Sequence, residues 1–153
     1  MKFSEILEKD HIIPDLKAKG KKGVLEELAE AVADHEPSVD KSDLVRVLIE
    51  RESLGTTGIG DGVAIPHGKL RSVKHPIILF GRSKRGLDFD SMDEHPTFLF
   101  FLLVAPEDSS GTHLQVLAKI AKILKSSAFR KKLMGAESQK DLYQMIIQTD
   151  EDP

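Results

Sequence analysis

There is no cysteine among the 153 residues, which removes disulfides, thiolate metal sites and a cysteine nucleophile together. Basic excess is missing too. With 22 Lys and Arg against 25 Asp and Glu, the net charge is -3, too few cations to displace counterions from a nucleic-acid backbone, so no nucleic acid is expected as a partner. The longest hydrophobic run, Phe98 to Ala105, is far too short to span a bilayer, and Met1-Lys2-Phe3-Ser4-Glu5 leads into charged residues rather than the apolar segment of a signal peptide. A cytoplasmic protein, not a membrane protein, is expected. Neither a Gly-x-x-x-x-Gly-Lys-Ser/Thr loop nor a strand-to-helix Gly-x-Gly-x-x-Gly is present, so no nucleotide cofactor is implied. The six histidines include no i, i+4 pair and no His-Glu-x-x-His, so no metal site is expected. His11, His35, His75 and His95 read as surface or loop residues, and no repeat or low-complexity segment occurs.

What is present suits one globular α/β domain, residues 1–153, with 40% hydrophobic and 31% charged content. A short strand is expected near His11-Ile12-Ile13, ended by Pro14. Val24, Leu25, Leu28, Ala29 and Val32 form the stripe of an amphipathic helix over about 21–33. Asp40 reads as the N-cap of a second helix with Leu44, Val47 and Leu48 inward. The continuously apolar runs Ile77–Phe80 and Thr97–Val104 fit strands covered on both faces. The fold class is therefore α/β, a single domain with a mixed β-sheet flanked by helices on both faces. Ser83–Gly86 reads as a turn and 87–90 as a short edge segment. Thr112 with Gln115 reads as a capping box that starts a mostly buried helix at about His113, with Leu114, Leu117, Ala118, Ala121 and Leu124 inward and Val116, Ile120 and Ile123 widening the apolar face. Ser127 caps a short helix through Leu133, Ser138 with Asp141 starts the last one, and from about Thr149 the chain is an acidic, frayed end.

The most informative stretch is Gly55 to Lys69, Gly-Thr-Thr-Gly-Ile-Gly-Asp-Gly-Val-Ala-Ile-Pro-His-Gly-Lys. Its glycines permit positive φ and close backbone approach, as in a loop on which a phosphate could sit. Val63-Ala64-Ile65 reads as a short buried strand that Pro66 stops. His67 follows, held between Pro66 and Gly68, either as an ordinary strand-end histidine or as a mounted reactive group. Arg51 extends the inward stripe of the second helix. It either complements the last carbonyls or aims a planar fork at phosphate oxygens, and the nearby glycine loop favours the fork. His113 is a surface residue at a helix start or a neutral imidazole sharing an anion with backbone amides. Asp61 either orients a ring or bonds its own turn.

The ordered series Arg51-Glu52-Ser53-Leu54, Thr57-Gly58-Ile59-Gly60 and Pro66-His67-Gly68-Lys69, together with Leu103-Val104-Ala105-Pro106 and His113-Leu114-Gln115-Val116-Leu117-Ala118, resembles the enzyme IIA family of the fructose/mannitol type. These are domains of the bacterial phosphoenolpyruvate-dependent phosphotransferase system. The resemblance extends from about Phe3 to Ile147 and is nearest the nitrogen-regulatory branch. It implies that His67 is the phosphorylated nucleophile, that His113 stabilises the phosphate and Arg51 binds it, and that Thr57, Gly58, Gly60, Asp61, Gly62 and Gly68 form the supporting loop. It also implies a phosphohistidine carrier protein (HPr-like or NPr-like) as donor, no cofactor, and a regulated transporter or sensor kinase as a further partner. Two alternatives stand beside the regulatory phosphocarrier. One is the IIA component of a sugar transporter, the other a binding module that is never phosphorylated.

Overall fold

The computed structural model describes residues 1–151. The chain opens with the single turn α1 (Phe3–Ile6), a 3₁₀ turn at Lys9–His11 and the two-residue strand β1 (Ile12–Ile13). Two helices follow, α2 (Lys21–His35) and α3 (Lys41–Ser53), and then three short strands, β2 (Gly58–Gly60), β3 (Val63–Ala64) and β4 (His67–Leu70). The long strands β5 (Ile77–Leu87) and β6 (Thr97–Pro106) precede α4 (Ser110–Leu124), α5 (Ser127–Gly135), α6 (Gln139–Gln148) and a 3₁₀ turn at Thr149–Glu151.

The six strands form one mixed sheet in the order β1-β5-β6-β3-β2, with β4 also paired to β6. β6 is the axis: β5 lies antiparallel along one side, and β3 and then β4 lie parallel along the other. Its side chains alternate between the faces, as strand geometry requires. Phe100, Leu102 and Val104 join the core under α2 and α3, while Leu99, Phe101 and Leu103 join the core under α4, α5 and α6. The expected mixed sheet with helices on both faces is thus present, and the apolar continuity of β5 and β6 follows from double coverage. Asp40 caps α3, accepting from the Asp43 amide at 3.0 Å, and Ser138 caps α6 in the same way.

Several local expectations are corrected. α4 begins at Ser110 rather than at about His113. Within α4, His113, Val116, Ile120 and Leu124 are buried, whereas Leu114, expected inward, is 65% exposed. The cap of α5 is Ser126, accepting from the Phe129 amide, rather than Ser127. Ser83–Gly86 stays within β5, whose pairing with β6 is irregular between Arg82 and Leu87. There Arg82 is fully buried and its guanidinium donates to the carbonyls of Pro14, Leu133 and Ala136. The stretch Thr149–Glu151, where an acidic, frayed end was expected to begin, forms a 3₁₀ turn. Asp150 accepts from the Phe3 and Ser4 amides at 2.7 and 3.0 Å and pairs with Lys119 at 3.4 Å.

Candidate functional site

Arg51, His67 and His113 come from three different elements, α3, β4 and α4. Pro66 can donate nothing to a ladder, and its carbonyl accepts from the Leu103 amide at 3.0 Å. The chain there leaves β3 and re-pairs as β4, with His67 opposite Leu103. His67 therefore begins a strand, where an isolated strand-end position was expected. Gly68 lets α3 pack closely on this strand, because a Cβ there would lie 2.5 Å from Val47 Cγ1. One helical turn after Val47, Arg51 comes over the histidine.

The hydrogen bonds fix the ring's tautomer. His67 Nδ1 lies 2.8 Å from the Ile65 carbonyl oxygen, and Arg51 Nε donates to His67 Nε2 at 3.2 Å. A carbonyl only accepts and a guanidinium only donates, so Nδ1 carries the proton and Nε2 presents its lone pair. Arg51 is itself steadied by donation from Nη1 to the Gly55 carbonyl at 2.9 Å. The His113 ring stands edge-on to His67, with centroids 5.2 Å apart and planes at 64°. It is buried, and its Nδ1 meets no hydrogen-bond partner. Burial pushes the pKa of His67 below the ordinary 6.5, and Arg51 pushes the same way against the Ile65 carbonyl and Glu52. Burial also lowers the pKa of His113, reinforced by His67, Lys69 and Arg51. Both rings are neutral near pH 7, in a setting that favours an anion.

The supporting stretch divides. Thr57 is held by Glu52, whose carboxylate accepts from the Thr57 amide at 3.0 Å and from its hydroxyl, and pairs with Lys21 at 3.0 Å. Glu52 is thus a positioning residue that sequence reasoning passed over. It stands in the series Arg51-Glu52-Ser53-Leu54 and five residues before Thr57, but no role was read for it. The glycine run is not an open phosphate loop. Gly58–Gly60 is strand β2, paired antiparallel with β3 through a turn at Asp61-Gly62. A Cβ on Gly58 would lie 3.1 Å from Ser91 Cα, and Gly60 and Gly62 take φ of 99° and 77°. Asp61 has φ 58°, and its amide donates to Asp93 at 3.0 Å. The turn meets β6 near Leu99, whereas His67 pairs with Leu103. Gly60, Asp61 and Gly62 therefore shape the hairpin and lie apart from the histidines.

A family model described as the phosphoenolpyruvate-dependent sugar phosphotransferase system, EIIA 2, matches residues 5–149. The chain belongs to this family. Its relatives among EIIA type 2 proteins include the nitrogen regulatory protein of Bradyrhizobium diazoefficiens, 40% identical over 146 residues and matched over 95% of each chain. The fructose-specific EIIABC component of Bacillus subtilis is 38% identical over 150 residues, which are 98% of this chain but 24% of that protein. The crystal structure of nitrogen regulatory protein IIA-Ntr from Neisseria meningitidis shares the fold with a TM-score of 0.88 at 36% identity, over 94% of this chain and 98% of that one. As an EIIA type 2 domain the chain is a component of a phosphotransferase system. None of its described helices is long and apolar enough to cross a membrane.

Proposed function

We propose that the chain is a regulatory phosphocarrier. His67 takes a phosphoryl group through Nε2 from a phosphohistidine on a small HPr-like or NPr-like donor protein. The observation that carries this is the tautomer of His67, protonated at Nδ1 against Ile65 and open at Nε2 beside Arg51. No base is needed, since the neutral ring already has its lone pair on the outer nitrogen. As the P–N bond to the donor imidazole breaks, the electron pair returns to that ring and a new bond forms from phosphorus to His67 Nε2. The loose transition state mainly requires alignment and charge neutralisation. Arg51, released from Nε2 as the lone pair is used, supplies a planar set of donors for the phosphoryl oxygens. His113 adds a ring N–H, and the Ile65 carbonyl steadies the positive charge that the phosphorylated ring acquires while Nδ1 keeps its proton.

Leu54 after Arg51 and Leu114 after His113 are 85% and 65% exposed. Apolar side chains beside a charged centre suit transient docking of a protein donor. The regulatory reading over sugar import rests on the nearly full-length match to a nitrogen regulatory protein, 40% identical over 95% of each chain. Phosphorylation would add up to about two negative charges to this surface, enough to change how a transporter or sensor kinase binds it. Intact-mass measurement after incubation with phosphoenolpyruvate, enzyme I and a histidine phosphocarrier protein tests the reading. One acid-labile phosphate on the wild type and none on His67→Ala supports it. No adduct with several competent donors favours the unphosphorylated binding module.

A further inference from the structure

His11 was expected as a surface or loop residue, yet it is 1% exposed; the Ile78 backbone approaches its ring, but neither ring nitrogen closes a hydrogen bond of ordinary geometry. Such a group is costly unless something else satisfies it. Around it stand Glu8, from the start of the N-terminal 3₁₀ turn, and Glu36, from the end of α2. Their carboxylate oxygens and a ring nitrogen of His11 all lie within 4.8 Å of one another, and neither carboxylate closes a hydrogen bond on the ring. The same residues line a small cavity of about 40 Å³ that also reaches His75, close to the volume of one water molecule, about 30 Å³.

The chemistry differs from that of the His67 and His113 pair. There the cations Arg51 and Lys69 stand beside the rings, with Glu52 opposing them at His67 and held by Lys21 and Thr57. Here the charged neighbours are Glu8 and Glu36, whose carboxylate oxygens stand beside a ring nitrogen that closes no good hydrogen bond and so has a lone pair to offer a cation. His35 packs edge-on to His11 with centroids 5.6 Å apart, and its Nδ1 lies 3.1 Å from the Ala31 carbonyl oxygen. That bond leaves the His35 Nε2 lone pair free, the arrangement usual for metal-binding histidines.

We propose that Glu8, His11 and Glu36 form a binding site for a divalent metal ion of the zinc class, a site absent from the sequence-based expectation. One imidazole with two carboxylates suits zinc-like ions better than magnesium or calcium, which prefer all-oxygen shells. Three protein ligands leave a fourth position for water or His35. Nitrogen and oxygen ligands at about 2.0–2.2 Å in a tetrahedral zinc site lie about 3.3–3.6 Å apart, so the atoms, now within 4.8 Å of one another, must close by up to about 1.5 Å, which the exposed Glu8 can supply. The ion would clasp the N-terminal turn, which leads into edge strand β1, to the end of α2.

The test is titration of chelator-treated full-length protein with Zn²⁺ by calorimetry and with Co²⁺ by visible absorption. One ion per chain is expected, with the intense d–d bands of low-coordinate Co²⁺. Glu8→Gln and Glu36→Gln should each weaken binding by at least about 10-fold; Glu8 is exposed and Glu36 half-buried, so the metal-free fold should persist. Zinc at 100 times its dissociation constant should raise the folding equilibrium about 100-fold in the wild type and far less in these variants. The His67→Ala, His113→Ala double variant should bind as the wild type does. No heat and no absorption at millimolar metal, unchanged binding in Glu36→Gln, or loss of binding in the double variant would overturn the proposal.

Discussion

Replacing Gly68 with alanine would put a methyl carbon 2.5 Å from Val47 Cγ1 and 3.7 Å from Leu48 Cδ2. Carbon atoms settle at about 3.5–4.0 Å, so the first contact must open by at least about 1 Å. Val47 is β-branched and on a helix, where a single χ1 rotamer dominates, so rotation gives little relief. The remaining response is for α3 to move off β4. Overpacking of this kind costs about 1–3 kcal/mol. Arg51 lies one turn beyond Val47 and would move with it, lengthening the 3.2 Å bond to His67 Nε2. A misplacement of about 1 Å at a reacting group can cost about 100-fold in rate. Urea denaturation should therefore show a loss of about 1–3 kcal/mol, and rapid-quench phosphoryl transfer a fall of about 10- to 100-fold. Adding Val47→Ala removes the clashing methyl groups, so the double variant should be more stable than the sum of the single changes by about 0.5–3 kcal/mol. Stability within about 0.5 kcal/mol of wild type in Gly68→Ala, with simple additivity in the double variant, would refute this account of how Arg51 is placed.

Arg82→Met leaves the carbonyls of Leu133 and Ala136 buried without their donor and should cost about 3–5 kcal/mol in chemical denaturation. Arg51→Lys keeps the charge but loses the planar fork, so it should slow phosphoryl transfer by about 10-fold or more at unchanged stability. Asp150→Ala removes the acceptor for the Phe3 and Ser4 amides and should lower stability by about 1–2 kcal/mol while speeding hydrogen exchange at those two amides. His11, His67 and His113 all have folded-state pKa values below the ordinary 6.5, chiefly through burial. The unfolded chain therefore takes up their protons first. Stability should be level above about pH 6.5 and fall as pH drops below it, each histidine contributing up to about 1.4 kcal/mol per pH unit until its folded-state pKa is passed. His11→Asn should make this slope shallower, and an unchanged slope would count against a neutral buried His11.

The two cores were legible because their patterns are strong. The alternating residues of β6 and the inward stripe of α2 leave little choice of face, and Asp40 and Ser138 mark their helix starts through side-chain chemistry. Arg51, His67 and His113 were singled out by the glycine stretch and the family resemblance, and the fold brings the three together, with Gly68 explained by the approach of Val47. What escaped were features decided by partners distant in sequence. β2 and β4 are too short and too glycine-rich to show a period, and they exist because β3 and β6 supply their hydrogen bonds. At α4 the Thr112–Gln115 pattern suggested a start later than the true one at Ser110, and the apolar face was broad enough for Leu114 to be counted inward although it is 65% exposed. Glu52 and His11 look unremarkable until Thr57, and then Glu8 and Glu36, are placed beside them.

The most direct measurement is the long-range ¹H–¹⁵N spectrum of the histidine rings after phosphorylation by phosphoenolpyruvate, enzyme I and a histidine phosphocarrier. The account predicts that Nε2 of His67 becomes the phosphorus-bonded nitrogen while Nδ1 of the same ring keeps its proton against the Ile65 carbonyl. Phosphorylation at Nδ1 of His67, or on the ring of His113, would contradict it.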